Sequence, residues 1–214
     1  MPTTTELTEN YLIEHPSVKD CLKKGIINYS RLARKIGKEL GIEKRSSMEA
    51  ILIACRRFAL KIKTEPVLEE KILTILKKSE LEIKNKIAAV ILNKRASFDA
   101  FPQLEAKARK TGDVFYFIEG STVFTVIASE KYLEELQKLF RRDIVKVSKK
   151  LAMVTLKSPE DLENTPGVVS YLYSLVSEQG INIVETMSCW TDTIFIIEEK
   201  DLSALLGVLR ITSA

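Results

Sequence analysis

The 214-residue sequence predicts an α+β protein in which an all-helical N-terminal domain precedes two copies of a β-α-β-β-α-β pattern. Three observations carry that prediction. Over the first sixty-odd residues, apolar side chains recur at helical spacing between Gly and Pro breaks. After Ser79, short β-branched runs alternate with helical ones. The order of those later elements then starts again, with Gly112 and Gly180 closing equivalent helices.

The helical domain is expected over 1–63. A first helix runs from Thr3 to Glu14 and stops at His15-Pro16, because the residue before proline avoids the α region. A second, Ser17 to Lys24, is closed by Gly25. Ser30 is expected to cap "RLARKIGKEL", whose Leu32, Ile36 and Leu40 form one apolar stripe. A fourth helix, 46–62, opens on a capping box of Ser46 and Glu49 and contains "AILIAC", apolar on every side. A linking segment over 64–80 holds a helix begun by Pro66.

The first sheet-forming module spans 81–150: strand 87–93, helix 102–110, two strands joined at Gly120-Ser121, helix 130–140 and strand 144–150. The second spans 151–214: strand 152–157, helix 167–179, two strands joined through Trp190-Thr191-Asp192, and helix 201–210. Its final strand is either absent or shared with 144–150. β-α-β-β-α-β is the ferredoxin-like arrangement, a sheet with both helices on one face. "DVFYFIEG" and "TIFIIEE" are apolar on both faces, so the helix-free face is expected to be covered, with a homodimer as the means.

Charge is uneven. Residues 1–63 carry 13 Lys+Arg against 7 Asp+Glu, hence +6; the rest carry 20 against 22, hence −2. A basic helical segment suggests a face toward nucleic acid. Arg31, Arg34, Lys35, Lys38, Lys44 and Arg45 are the candidate DNA contacts, mostly to phosphates. The alternative is a solvated basic face on a packing domain, with 46–62 as a core or dimerisation helix.

Several function classes lack their residues. His15 is the sole histidine, which removes histidine triads and multi-histidine metal sites. Cys21, Cys55 and Cys189 are scattered and form no C-x-x-C pair, so neither a zinc site nor a disulfide framework is implied. No glycine-rich phosphate loop occurs, and the pairs Glu69-Glu70 and Glu198-Glu199 point their carboxylates apart. Aromatics at 115–117 and 124 lack the spacing of an RNA-binding sheet motif. The expectation is therefore a protein that is not an enzyme, uses no cofactor or metal, and has no membrane span or secretory signal. A cytoplasmic location fits the cysteine usage.

One stretch suggests a ligand. "NTPGVVSYLYSLVSEQGINIVE" places Pro166-Gly167 directly at a helix start. Such a start offers unpaired N–H groups and the positive end of the helix dipole to an anion, and a Gly permits close approach. With Asn164, the turn Pro166-Gly167-Val168 and the strand entry Gly180-Ile181-Asn182-Ile183, the segment resembles an ACT domain, the small amino-acid-sensing module of metabolic enzymes and regulators. The resemblance is nearest to the regulatory half of aspartate kinases, which carries two such modules in tandem. It implies an amino acid or related carboxylate bound between the turn of one module and the strand of a neighbouring one, at a dimer interface. Asn164, Thr165, Gly167 and Val168 would line the turn side, and Asn182 and Ile183 the strand side. The first module has no Pro-Gly turn. The reading is a metabolite-sensing regulator, either of transcription or, without DNA, as a regulatory subunit of an enzyme of amino-acid metabolism.

Overall fold

The computed structural model describes residues 2–44, 47–63, 69–99 and 101–213. The chain forms two compact units, Met1–Val67 and Leu68–Ala214.

The first unit is helical. α1 is Thr4–Glu14, α2 Pro16–Lys23, α3 Tyr29–Glu39 and α4 Met48–Ile62. The caps differ from expectation by a residue or two. Thr3 and Glu6 form a capping box at α1, Asn28 rather than Ser30 caps α3, and Ser47 caps α4 through a 3.1 Å bond from the Ala50 amide. Ser46 lies outside the described residues. Leu12, Ile36, Ile51 and Cys55 are fully buried, and with Phe58 and Ile62 they make the core. Although "AILIAC" is apolar on every side, α4 is buried on one side only: Ile51, Cys55 and Phe58 face the core while Ile53, Arg56, Arg57 and Leu60 face solvent. His15 stacks on Tyr11 at 3.9 Å between ring centroids, and its Nδ1 lies 2.7 Å from the Tyr11 carbonyl, which gives it a structural role at the end of α1.

The second unit starts with α5, Glu69–Lys77; the Pro66 start expected for that helix lies outside the described residues. Then follow β1 (Glu80–Asn93), α6 (Phe101–Lys110), β2 (Phe115–Glu119), β3 (Val123–Ser129), α7 (Leu133–Leu139), β4 (Ile144–Lys157), α8 (Val168–Glu178), β5 (Ile183–Cys189), β6 (Asp192–Glu198) and α9 (Leu202–Ser213). All six strands join one antiparallel sheet, ordered β2-β3-β1-β4-β6-β5.

Two sequence expectations are corrected. The strands expected at 144–150 and 152–157 are one continuous 14-residue strand, and the strand expected at 87–93 begins seven residues earlier, at Glu80. The reason is that β1 and β4 each serve both halves of the sheet. Residues 87–93 of β1 pair with β3 and with the start of β4, whereas 80–84 pair with 153–157. Residues 80–84 thereby occupy the place of the missing fourth strand of the second half. The open alternatives, absence or sharing of 144–150, give way to a strand supplied from before the first half.

Each long strand bends at a lysine in the left-handed region, Lys86 and Lys150, both at φ 55°. Alternation along the strands then divides the core. Ala88, Val90, Leu92 and Val126 pack under α6 and α7, while Ala152, Val154, Leu156 and Phe195 pack under α5, α8 and α9. The opposite faces of both halves contribute Ile87, Ala89, Ile127, Leu151, Met153, Ile194 and Ile196 to a single cluster that contains no helical residue. Two-sided apolar strands are thus accounted for within one chain: the sheet curls and its helix-free face is buried on itself. A homodimer is not needed to cover it.

Candidate functional site

The turn before α8 is built by a short helical bend, Glu160–Leu162, after β4. Thr165 is buried, and its hydroxyl donates to the Asp161 carbonyl at 2.7 Å while its amide donates to Leu162. Both of its polar groups therefore hold the turn together. Pro166 follows, and Gly167 takes φ 92°, ψ −11° as the residue that starts α8. That left-handed conformation is the first reason for glycine here. Space is the second: a Cβ at Gly167 would stand 3.3 Å from Ile72 Cδ1 of α5. Val168 drops its side chain into the core beside Ile72 and Leu162.

What remains open is the main chain. No side chain caps α8 and no acidic residue sits in its first turn. The first amides of a helix have no partner within it, and here Tyr171 is the first to donate back, to the Gly167 carbonyl at 2.8 Å. Asn164 and Ser170 are exposed on either side. The arrangement offers donors, a dipole and a carboxamide to a small anion.

Asn182 is exposed and Ile183 half-buried at the entry to β5. β4 and β5 both run antiparallel to β6, so they run parallel to each other. The turn lies at the C-terminal end of β4 and Asn182 precedes the start of β5. The two halves of the candidate site therefore sit at opposite ends of α8, about 16 Å apart for its 11 residues. One chain does not bring them together.

The corresponding helix in the first half starts among aromatic rings. α6 starts at Phe101, and Phe98 touches the rings of Phe101, Phe117, Phe124 and Phe140 at centroid distances of 4.8–5.4 Å. Phenyl rings thus cluster around the first residue of α6, and the sequence there has no Pro-Gly turn. At the matching strand entry Asp113 is held by Lys131 at 2.6 Å and by the Tyr132 hydroxyl at 2.7 Å.

In the helical unit, α3 buries Leu32, Ala33, Ile36 and Gly37 and exposes Arg31, Arg34, Lys35 and Lys38. Lys35 is engaged with Glu39 at 2.8 Å, and Glu39 also accepts from the Tyr11 hydroxyl. The Lys35 bond, ahead of the Tyr11 bond, holds the Glu39 carboxyl below its usual range. Burial, and then the bond to Glu39, push the Tyr11 hydroxyl up to about 12. Arg34 turns back to the Ser30 carbonyl at 3.3 Å. Lys44 is exposed beyond α3, and Arg45 lies outside the described residues.

Sequence reasoning missed α5 as a wall of the turn. Its signal was present: Ile72, Ile75 and Leu76 form a stripe that has to be buried somewhere, and all three are in the core of the second unit. Among the described residues no group of three or more His, Cys, Asp or Glu side chains is placed to hold a metal, and no helix is long and apolar enough to cross a membrane.

No family model matches the sequence, and no curated protein does. Solved structures do resemble it. An aspartate kinase from Clostridium acetobutylicum, called an allosteric enzyme, matches with a TM-score of 0.51 at 12% identity, over 63% of this chain and 34% of the kinase. The aspartate kinase of Synechocystis matches with a TM-score of 0.51 at 13% identity, over 64% of this chain and 27% of the kinase. A regulatory subunit of aspartate kinase from Thermus thermophilus matches with a TM-score of 0.48 at 16% identity, over 62% of this chain and 95% of the subunit. The match spans about a third or less of each full-length kinase. At these identities it is the fold that is established: a mixed α/β, ACT-like architecture with a curled antiparallel sheet.

Proposed function

We propose that this chain is a cytoplasmic regulatory protein. Its second unit, read as tandem ACT modules, senses an amino acid or related small carboxylate, and its first unit, read as a helix-turn-helix domain, passes that signal to DNA. The reading assigns it no catalytic step and no cofactor. The observation that carries it is the uncapped start of α8, with its αL glycine and no acidic residue in its first turn. A carboxylate there meets donors and dipole together, worth about 1–2 kcal/mol from the dipole when partly buried.

The distance between the turn and Asn182 requires a second copy. β5 is the last strand on its side of the sheet, so its outer edge can accept another. Two copies joined along β5 by a two-fold axis run antiparallel. The start of α8 in one copy then lies beside the end of α8 in the other. In this arrangement Asn164, Gly167 and Val168 present main chain and carboxamide over the turn that Thr165 holds, and Asn182 and Ile183 of the second copy close the site. The homodimer thus follows from the site and not from a bare sheet face.

For the DNA-facing half, the support is the amphipathic α3 with Arg31, Arg34 and Lys38 outward. Four neutralised phosphates would give a slope of log affinity on log salt of about −3.6. A second reading, a regulatory subunit that binds a metabolic enzyme instead of DNA, is favoured by one observation: Ile53 and Leu60 stand 42% and 69% exposed on α4. The test is a thermal-shift screen of the twenty amino acids and common carboxylates, with light scattering in parallel. A ligand at one hundred times its Kd stabilises the fold by about 2.7 kcal/mol. Absence of any shift, or a monomer mass across a wide concentration range with ligand present, rejects the sensing reading. Binding to a DNA duplex against co-purification with an enzyme separates the two outputs.

A further inference from the structure

We propose that the sheet-bearing unit itself carries a phosphate-binding surface for duplex DNA, at the end of α7 and the start of β4. This rests on the DNA-binding reading above and extends it to a second surface. Lys138, Arg141, Arg142, Lys146 and Lys149 fall within twelve residues, against one acid, Asp143. Arg141, Arg142, Lys146 and Lys149 are exposed. None of the five side chains pairs with a described residue. Six other cations of the unit, Lys94, Lys107, Arg109, Lys131, Lys157 and Lys200, each hold a carboxylate within 2.5–2.7 Å. Other cations of the unit, such as Lys71, Lys77, Arg95 and Lys110, also lack an ion-pair partner among the described residues, but this run gathers five of them within twelve residues.

The shape of the region suits a polyanion. Lys138 and Arg141 line an open depression with Glu134, Gln137 and Ile144. The first half of β4, 144–150, pairs with β1 on one side only, because β6 pairs with 151–157. Its outer edge, beside Lys146 and Lys149, has no strand partner among the described residues. The nearest ring, Phe140, is 1% exposed, so the surface has no platform on which unpaired bases would stack. That favours the backbone of a duplex over single-stranded nucleic acid. A phosphate backbone is also the polyanion that the reading of α3, with Arg31 and Lys38 outward, calls for. Lysines on a free strand edge also discourage edge-to-edge pairing, but that role places no demand on Arg141 and Arg142.

The test uses the full chain and a labelled mixed-sequence DNA duplex, with affinity measured by anisotropy over a salt series. Arg141→Gln, Arg142→Gln and Lys146→Gln are combined in one variant. A control variant removes three charges elsewhere in the unit, as Lys94→Gln, Lys107→Gln and Lys200→Gln. If the surface binds phosphates, the first variant flattens the slope on log salt by about 2.7, because three phosphates are no longer neutralised, while the control keeps the parent slope. Equal flattening in both variants means that only net charge matters and overturns the proposal. An unchanged slope in the first variant, with weaker binding in Arg31→Ala and Lys38→Ala, overturns it while leaving α3 as the DNA surface. No binding of duplex by the parent at low salt overturns both, and binding of an acidic polypeptide or anionic vesicle in its place reassigns the surface. Unchanged circular dichroism and melting temperature in the glutamine variants exclude unfolding as the cause.

Discussion

The backbone amide of Lys86 donates a 2.9 Å hydrogen bond to the Glu199 carboxylate, 113 positions away in sequence. The amide of Lys150 does the same with Glu130 at 2.6 Å. Each glutamate opens the short helical turn that leads into the last helix of its half, and each lysine is the left-handed bend of a long strand. The two bonds are therefore copies of one device, exchanged across the centre of the sheet. They fix where β1 and β4 leave one half and enter the other. Glu199→Ala and Glu130→Ala should each lower stability by roughly 1 kcal/mol, the net worth of a hydrogen bond at a half-exposed site. Lys86→Gly should be neutral or stabilising because it relieves a left-handed residue, and Lys86→Val should lose more than about 1 kcal/mol. Urea unfolding of the four variants checks the set; a Lys86→Val variant as stable as parent would show that the bend is not strained.

Acid should weaken the first half of the sheet through one carboxylate. The Lys131 ammonium, then the Thr111 and Tyr132 hydroxyls, hold Asp113 down to about 2. Its ordinary value in an unfolded chain is about 3.9. A folded-state value below the unfolded one stabilises the fold above pH 4, and that contribution drains as pH falls from about 4 to 2. Asp113→Asn should cost stability at neutral pH and should unfold with a shallower dependence on pH below 4. Parallel acid-limb curves for parent and variant would place the acid sensitivity elsewhere.

Neighbouring positions on α4 should respond differently. Ile51 is 0% exposed, so Ile51→Asp buries an unpaired charge and should cost about 4 kcal/mol or more. Ile53 is 42% exposed, so Ile53→Asp should shift the melting temperature little. If Ile53→Asp abolishes co-purification of a partner protein while leaving the fold intact, the enzyme-subunit reading gains over the DNA reading.

The sequence made most of this fold readable because local signals and burial agree in it. Gly25, Gly41, Gly112 and Gly180 each take positive φ at the point where periodicity ends a helix, and the Gly120-Ser121 joint lies between β2 and β3. What stayed hidden is long-range. "KVSKKLAM" contains no Gly or Pro to mark a break, and none exists; the change of polarity that suggests two strands is a change of half-sheet. Residues 80–84, "ELEIK", do alternate, but over only five residues directly after α5, and they pair only with residues more than sixty positions later, so the short local pattern does not reveal where the strand belongs. The site was legible as a turn but not as a place: that α5 stands over Gly167, and that Asn182 lies a helix-length away, are facts of packing.

The same geometry decides how the ligand site should be tested. From sequence alone Gly167→Val is the direct probe, since it would fill the space a ligand needs. At φ 92° a β-branched residue is strained whatever the ligand does, and its Cβ would press on Ile72. Loss of binding in that variant would report damage to the turn. Ser170→Asp is the better probe. Ser170 is exposed in the first turn of α8, where a carboxylate interacts favourably with the dipole, by about 0.3–1 kcal/mol. The variant should therefore melt at or above the parent temperature. The same charge repels a bound carboxylate and occupies its donors, so the shift caused by the ligand should disappear. Asn182→Asp places a second negative charge at the strand entry; it should weaken binding only if a second copy brings that entry to the turn. A ligand shift that survives Ser170→Asp would remove the start of α8 from the site. A shift lost in Ser170→Asp but untouched in Asn182→Asp would keep the site and reject the two-fold arrangement along β5.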